Sequence, residues 1–318
     1  MHPAFSVVFL TTLIGAGQGL FLALFTVESY AVFGLLPAQD SRFYALGSAV
    51  ALGFLVLGLA ASFFHLGRPE RAWRAAARWR TSWLSREVIV LPAFMGAVFL
   101  YGIAHYAGFN PLLATLPSAV PVRLTFFLGM GGTLLAFALF VCTAMIYACL
   151  RFLQEWHTPL TVINYILLGG ASGFVLATAL SARWAPEVAG LLGGWAMILT
   201  ALACLGRAAS LLRNARLKPK SSLRTAIGAR HPRIVQKAQG AMGGSFNTRE
   251  FFHGRTPGFL RQVKWIFLVL AFALPLGLLA AGAAGAAFIV QYLGLLAERW
   301  FFFAQANHPQ NLYYQAVS

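Results

Sequence analysis

Between Ser62 and Glu87 the chain reads SFFHLGRPERAWRAAARWRTSWLSRE, an apolar run that ends in a histidine and then turns strongly basic. Six residues here are of types that suit one chemistry: His65, Arg68, Trp83, Ser85, Arg86 and Glu87. An imidazole donates a hydrogen bond to a carbonyl oxygen and exchanges a proton near neutral pH. An indole offers an aromatic wall, and a carboxylate can connect a site to water. Together they suit a lipophilic redox carrier such as a quinone, whose tail stays in the bilayer. On that reading His65 and Glu87 exchange the protons. Arg68 and Arg86 favour negative charge on the ring or order Glu87. Each residue has an ordinary reading as well: arginines mark a membrane boundary, tryptophan belongs to interfacial belts, and a carboxylate suits a helix N-terminus.

The elements that must position these residues follow from composition. Of 318 residues, 59% are hydrophobic and 10% charged, with a mean hydropathy of +0.72. A soluble domain carries about 25% charged residues, so this composition specifies an integral membrane protein. The fold class expected is all-α, a bundle of about eight transmembrane helices, because a span needs about 20 apolar residues. Candidate spans cover 4–35, 44–65, 86–107, 122–151, 159–181, 188–212, 262–281 and 285–303. The last two are separated only by a few alanines and glycines. A basic loop occupies 213–261.

The net charge is +16, yet its distribution is that of topology rather than of a nucleic-acid surface, so nucleic acid is not an expected partner and the lipid bilayer is. All 24 Lys and Arg except Arg42, Arg123 and Arg183 fall on one side of the expected spans. The positive-inside rule places that side, and with it both termini, in the cytoplasm.

Locally, His65 closes the second span. Gly67 fits a helix C-cap, and Pro69 starts a short amphipathic helix carrying Arg71, Arg74 and Arg78. Ser85 is the expected N-cap of the third span, with Glu87 in its first turn. Elsewhere, Glu28 and His105, near Tyr101 and Tyr106, lie toward the other ends of their spans. Ionisable groups in spans are costly, so the two either form a proton path or serve structure. Asn164, Gln291 and Glu298 read as interhelical hydrogen bonders or snorkelling groups. Cys142, Cys149 and Cys204 form no CxxC pair, so no iron–sulfur cluster or metal site is expected in this chain. Only His105 among the seven histidines lies well within a span, which argues against haem. No internal repeat stands out, and GAGQG near Gly15 reads as helix packing rather than a nucleotide loop.

The HLGRP to SWLSRE block, the FNTREFF motif and the eight-span layout resemble the membrane anchor subunits of the dimethyl sulfoxide reductase family along nearly the whole chain. The resemblance implies a haem-free anchor in a bacterial cytoplasmic membrane. It implies an iron–sulfur subunit and a molybdopterin catalytic subunit as partners, and electron exchange with quinones. It also implies a quinol-site histidine at His65 and a carboxylate at Glu87. Within the family, GLLAERWFFFAQANHPQNLYYQ is more similar to the anchors of sulfite-oxidising complexes. Those act in the cytoplasm with quinone as acceptor, whereas an exported reductase would dock on the other face and oxidise quinol. Two readings of other classes stay open, a small-solute or ion transporter and an anchor with no quinone of its own.

Overall fold

A backbone that crosses lipid must satisfy its hydrogen bonds internally, and long apolar runs do so as helices. The computed structural model describes residues 1–115, 121–218, 222–231, 233–235 and 252–309. Among these, eight helices are long and apolar enough to cross a membrane, and the molecule is an all-α polytopic membrane protein. They are α1 (Phe5–Val32), α2 (Ser41–Phe63), α3 (Trp83–Tyr106), α4 (Leu124–Ala148), α5 (Pro159–Trp184), α6 (Pro186–Ala215), α7 (Pro257–Ala280) and α8 (Ala284–Ala304).

Their ends are set by local chemistry. Asp40 caps α2 by accepting from the Arg42 amide at 2.9 Å. The α3 N-cap is Ser82 rather than Ser85, because Ser82 already accepts the Ser85 amide at 3.3 Å. Gly67 is not a left-handed cap, since α2 closes at Phe63 with Phe64 as its C-cap and Gly67 keeps negative φ. Between α2 and α3, Pro69–Arg78 form a 3-10 helix with Arg71, Arg74 and Arg78 exposed. Between α3 and α4 a two-stranded antiparallel ribbon pairs β1 (Leu112–Thr115) with β2 (Pro121–Arg123) and shortens the fourth span. The doubtful gap before α8 is a tight hairpin. Gly282 sits at φ 75° and donates to the Leu279 carbonyl. Of the basic loop, residues 219–221, 232 and 236–251 lie outside the described residues, as does the FNTREFF motif apart from Phe252.

Helices α1 and α5 form the centre and run in the same direction. A Cβ added at Gly15 would lie 3.5 Å from the Gly169 Cα, and one at Gly19 or Gly173 would collide with the other helix's backbone. Each helix presents Gly-x-x-x-Gly at the crossing, the pattern that lets helices touch in lipid. Around this contact the order of neighbours repeats. In one half α1 packs on α2 and α4 with α3 between; in the other, α5 packs on α6 and α8 with α7 between. The fold therefore has two four-helix halves of like orientation. The packing order repeats although no internal repeat stands out in the sequence, where the two halves share only the glycine spacing.

Replacing Gly173 by valine is expected to cost at least about 3 kcal/mol, since overpacking costs about 1–3 kcal/mol even where the neighbours can move, and here they are backbone. Thermal unfolding in detergent checks this, with Gly53→Ala, which meets open space, expected to match the parent.

Candidate functional site

The starts of α1, α3, α5 and α7 and the ends of α2, α4, α6 and α8 lie at one end of the bundle, the basic face. The Met1 ammonium donates to the Ala306 carbonyl at 2.7 Å, joining the α1 start to the exit of α8. The six residues singled out in the sequence all lie toward this face, but not in one pocket. His65 and Arg68 follow α2 and are exposed. Protein packed around His65 pushes its imidazole pKa below the ordinary value through desolvation. Trp83 and Arg86 are half-buried and stack, guanidinium carbon to ring centroid 4.2 Å. Arg86 also donates to the Trp79 and Arg80 carbonyls at 2.9 and 2.8 Å. It thereby fastens the end of the 3-10 segment to α3 rather than ordering Glu87.

Ser85 and Glu87 are buried, at 3% and 7% exposure. Glu87 accepts a 2.5 Å hydrogen bond from the Thr143 hydroxyl on α4. It faces a water-sized cavity between α1, α4, α5 and α8, whose polar wall includes Gln18, Thr143, Tyr165, Ser172 and Arg299. The cavity is small in this structure, and the exposed His65 lies outside its lining.

Across the cavity lies a group that sequence reading undervalued. Glu298 pairs with Arg207 on α6 at 2.7 Å and with Arg299 at 3.4 Å, all three nearly fully buried. Arg299 lies 4.0 Å over the Tyr165 ring, and Arg207 lies between Phe267 and Phe301. Arg207 and Arg299 are therefore interior charges and not loop signals of topology, and Glu298 does not snorkel. Glu298 is a single carboxylate among apolar residues; its i, i+1 arginine was the available signal, but Arg207 two spans earlier was not predictable from spacing. Gln291 and Asn164 are interhelical bonders as expected, Gln291 donating to Thr200 on α6 and Asn164 to Ser210. Gln291 also reaches the Ala271 carbonyl at 3.3 Å, in a π turn over Val269–Ala273 that interrupts α7.

At the opposite end a second buried cluster forms. Glu28 on α1 accepts from Thr125 on α4 at 2.5 Å and lies 3.7 Å from His105 on α3. His105 stacks on Tyr44 from α2 and meets Tyr101 edge-on, while Tyr106 is exposed. Four helix ends are thus tied together. Between the two polar clusters lie fully buried Leu20, Phe21, Leu24, Leu55, Phe94 and Val98, with Phe21 packed edge-on against Phe94.

Residues 1–229 match the sequence pattern of the family described as DMSO reductase anchor subunit (DmsC). The chain is also 60% identical, over 325 positions covering 100% of each chain, to a protein of Allochromatium vinosum named as a subunit of sulfite dehydrogenase.

The lowered His65 pKa has a stability consequence. As pH falls through about 6.5, the unfolded chain takes up a proton that the folded chain resists, so acidification costs stability at this residue. A His65→Gln variant is expected to lose less apparent Tm than the parent between pH 7 and 5, measured in detergent across a pH series.

Proposed function

The chain belongs to the DMSO reductase anchor subunit family, and from that premise we propose that it joins a quinone pool to a molybdopterin and iron–sulfur enzyme that oxidises sulfite. The coarser part is established: this is a multi-pass membrane anchor subunit of an oxidoreductase complex, with catalytic and electron-transfer partners implied. The finer reading is that an iron–sulfur subunit docks on the basic face and carries electrons from a molybdopterin subunit. The basic face then lies in the cytoplasm, the membrane is the bacterial cytoplasmic one, and both chain ends are cytoplasmic.

One observation carries the quinone reading. An exposed histidine at the end of α2 stands on the same face as a buried carboxylate, Glu87, one turn inside the adjacent α3. The quinone is the diffusible substrate. Its ring lies against the protein surface beside His65 and Arg68, with Trp83 as the nearby aromatic group. His65 donates a hydrogen bond to a ring oxygen. Reduction adds two electrons from the docked partner and two protons from the aqueous side, yielding quinol. Glu87 supplies protons from inside the bundle, and Thr143 and Ser85 hold its surroundings. This chain holds no haem or cluster in the reading; both redox centres belong to the partners.

The sulfite direction rests on the full-length similarity to a protein named for sulfite dehydrogenation and on the arginine-rich 3-10 segment of the basic face. A quinol-oxidising reductase anchor would use the same groups in reverse, and sulfite against sulfoxide as substrate separates the two. A small-solute transporter is disfavoured because the interior near Glu87 is only water-sized.

In the complex purified in mild detergent, His65→Ala is expected to lower sulfite-to-quinone turnover at least about 100-fold, in line with the 10²–10⁴-fold worth of a placed proton-transfer group, and Glu87→Gln, which acts from inside the bundle, by less, about tenfold. Sulfite-to-dye turnover by the partner serves as the loading control. Unchanged quinone turnover in an assembled His65→Ala complex would sink the site.

A further inference from the structure

Glu87 is enclosed, so its protons need a way in, and two small cavities lie one behind the other on the basic-face side of the bundle. The deeper one holds Glu87, Thr143 and Gln18. The shallower one is lined by Glu155, Asn164, Arg207, Ser210 and Glu298. Tyr165 and Arg299 belong to both walls. The outer member, Glu155, sits half-exposed in the connection between α4 and α5 and accepts from Asn307 at 3.2 Å.

Three observations favour water in these cavities. First, the Arg207–Glu298–Arg299 group carries more positive than negative charge inside a membrane, where an ion group needs further polar partners to be tolerated. When Glu87 is a carboxylate, the four buried ionisable groups around the two cavities, Glu87, Glu298, Arg207 and Arg299, balance. Second, the Arg207 Nη2 donor and the Asn164 Oδ1 acceptor are buried without a hydrogen-bond partner among the described residues. Both line the shallower cavity, and a small polar cavity with donors and acceptors is where a protein keeps water. Third, the path stops at Glu87. Beyond it toward the opposite face lie Leu20, Phe21, Phe94 and Val98, all fully buried and apolar.

We propose that these two cavities form a proton route from the basic face to Glu87, with Glu155 at the mouth, Glu298 as the relay and the Arg299–Tyr165 stack as the divider. The inference rests on the quinone reading. For each quinone reduced, two electrons arrive from the iron–sulfur partner and two protons enter by this route. Each proton passes through water and Glu298 to Glu87, which hands it on toward the quinone beside His65. Glu298 touches no quinone and acts through Glu87.

The test has two arms on the purified complex. In the first, X-ray hydroxyl-radical footprinting reads internal water directly. Tyr165 and Phe302, which line the cavities, are expected to be labelled at least tenfold faster than Phe94 and Phe43, which are buried but touch neither cavity. In the second, quinone-linked turnover is measured for Glu298→Gln and for Glu155→Gln, the latter chosen because its position at the surface leaves folding intact. Glu298→Gln is expected to lose about tenfold in kcat with KM for quinone unchanged, and Glu155→Gln about threefold. Millimolar formate, a small proton carrier, is expected to restore both several-fold, which a merely structural defect would not allow. Labelling of Tyr165 no faster than Phe94 overturns the route. So does unchanged quinone turnover in either assembled variant, or a loss that formate does not rescue. A parent complex in which Tyr165 is labelled but quinone is not reduced defeats the quinone reading, and the route falls with it.

Discussion

The contact between two backbones sets the architecture. Lipid offers no hydrophobic drive for helix association, so close packing has to supply it. At Gly15–Gly19 and Gly169–Gly173 the chain removes its side chains and lets α1 and α5 touch. Everything else is arranged around that line. The two helices are among the most buried spans, each belongs to its own half, and the cavity by Glu87 is lined by Gly15 and Gly169 of the crossing itself. Bulk at the crossing would separate the halves and change the spacing of every polar group across that cavity.

The polar interior is divided by depth. Toward the basic face the chain concentrates Glu87, Glu298, Arg207 and Arg299 with hydroxyls and amides. Toward the other face it keeps one tight Glu28–His105 group held by two tyrosines and a threonine. The apolar layer of Phe21, Phe94 and the leucines between them is continuous with the main core. The two candidate roles of Glu28 and His105 thus separate. Fully buried Leu20, Phe21, Phe94 and Val98 stand between that pair and Glu87, and its contacts join four helix ends.

Much of this was legible in the sequence. Span number follows from apolar run length, and helix ends moved by only a few residues where a nearby side chain supplied the cap, as Ser82 did before Ser85 could. The placement of His65 and Glu87 at one face was also readable, because α2 and α3 must turn back through the short basic stretch between them. Their separation into a surface group and an interior group was not, since it depends on which side of α3 faces α4. The repeat was hidden because membrane helices preserve packing spacing while exchanging one apolar residue for another. Arg207 and Arg299 were misread because a count of basic residues by span boundary cannot see a carboxylate brought in from another helix. The Arg86 bonds to Trp79 and Arg80 were likewise invisible, as they join a side chain to carbonyls of an irregular segment.

The buried Arg207–Glu298 pair links events that are far apart during synthesis. Helix α6 enters the membrane with a guanidinium in its interior face, and the carboxylate that neutralises it emerges two spans later, on the last helix. A charged side chain within a span is costly, so α6 is held at a disadvantage until α8 arrives. A nascent chain that stalls or is cleaved before Glu298 therefore leaves an unneutralised guanidinium within the bilayer.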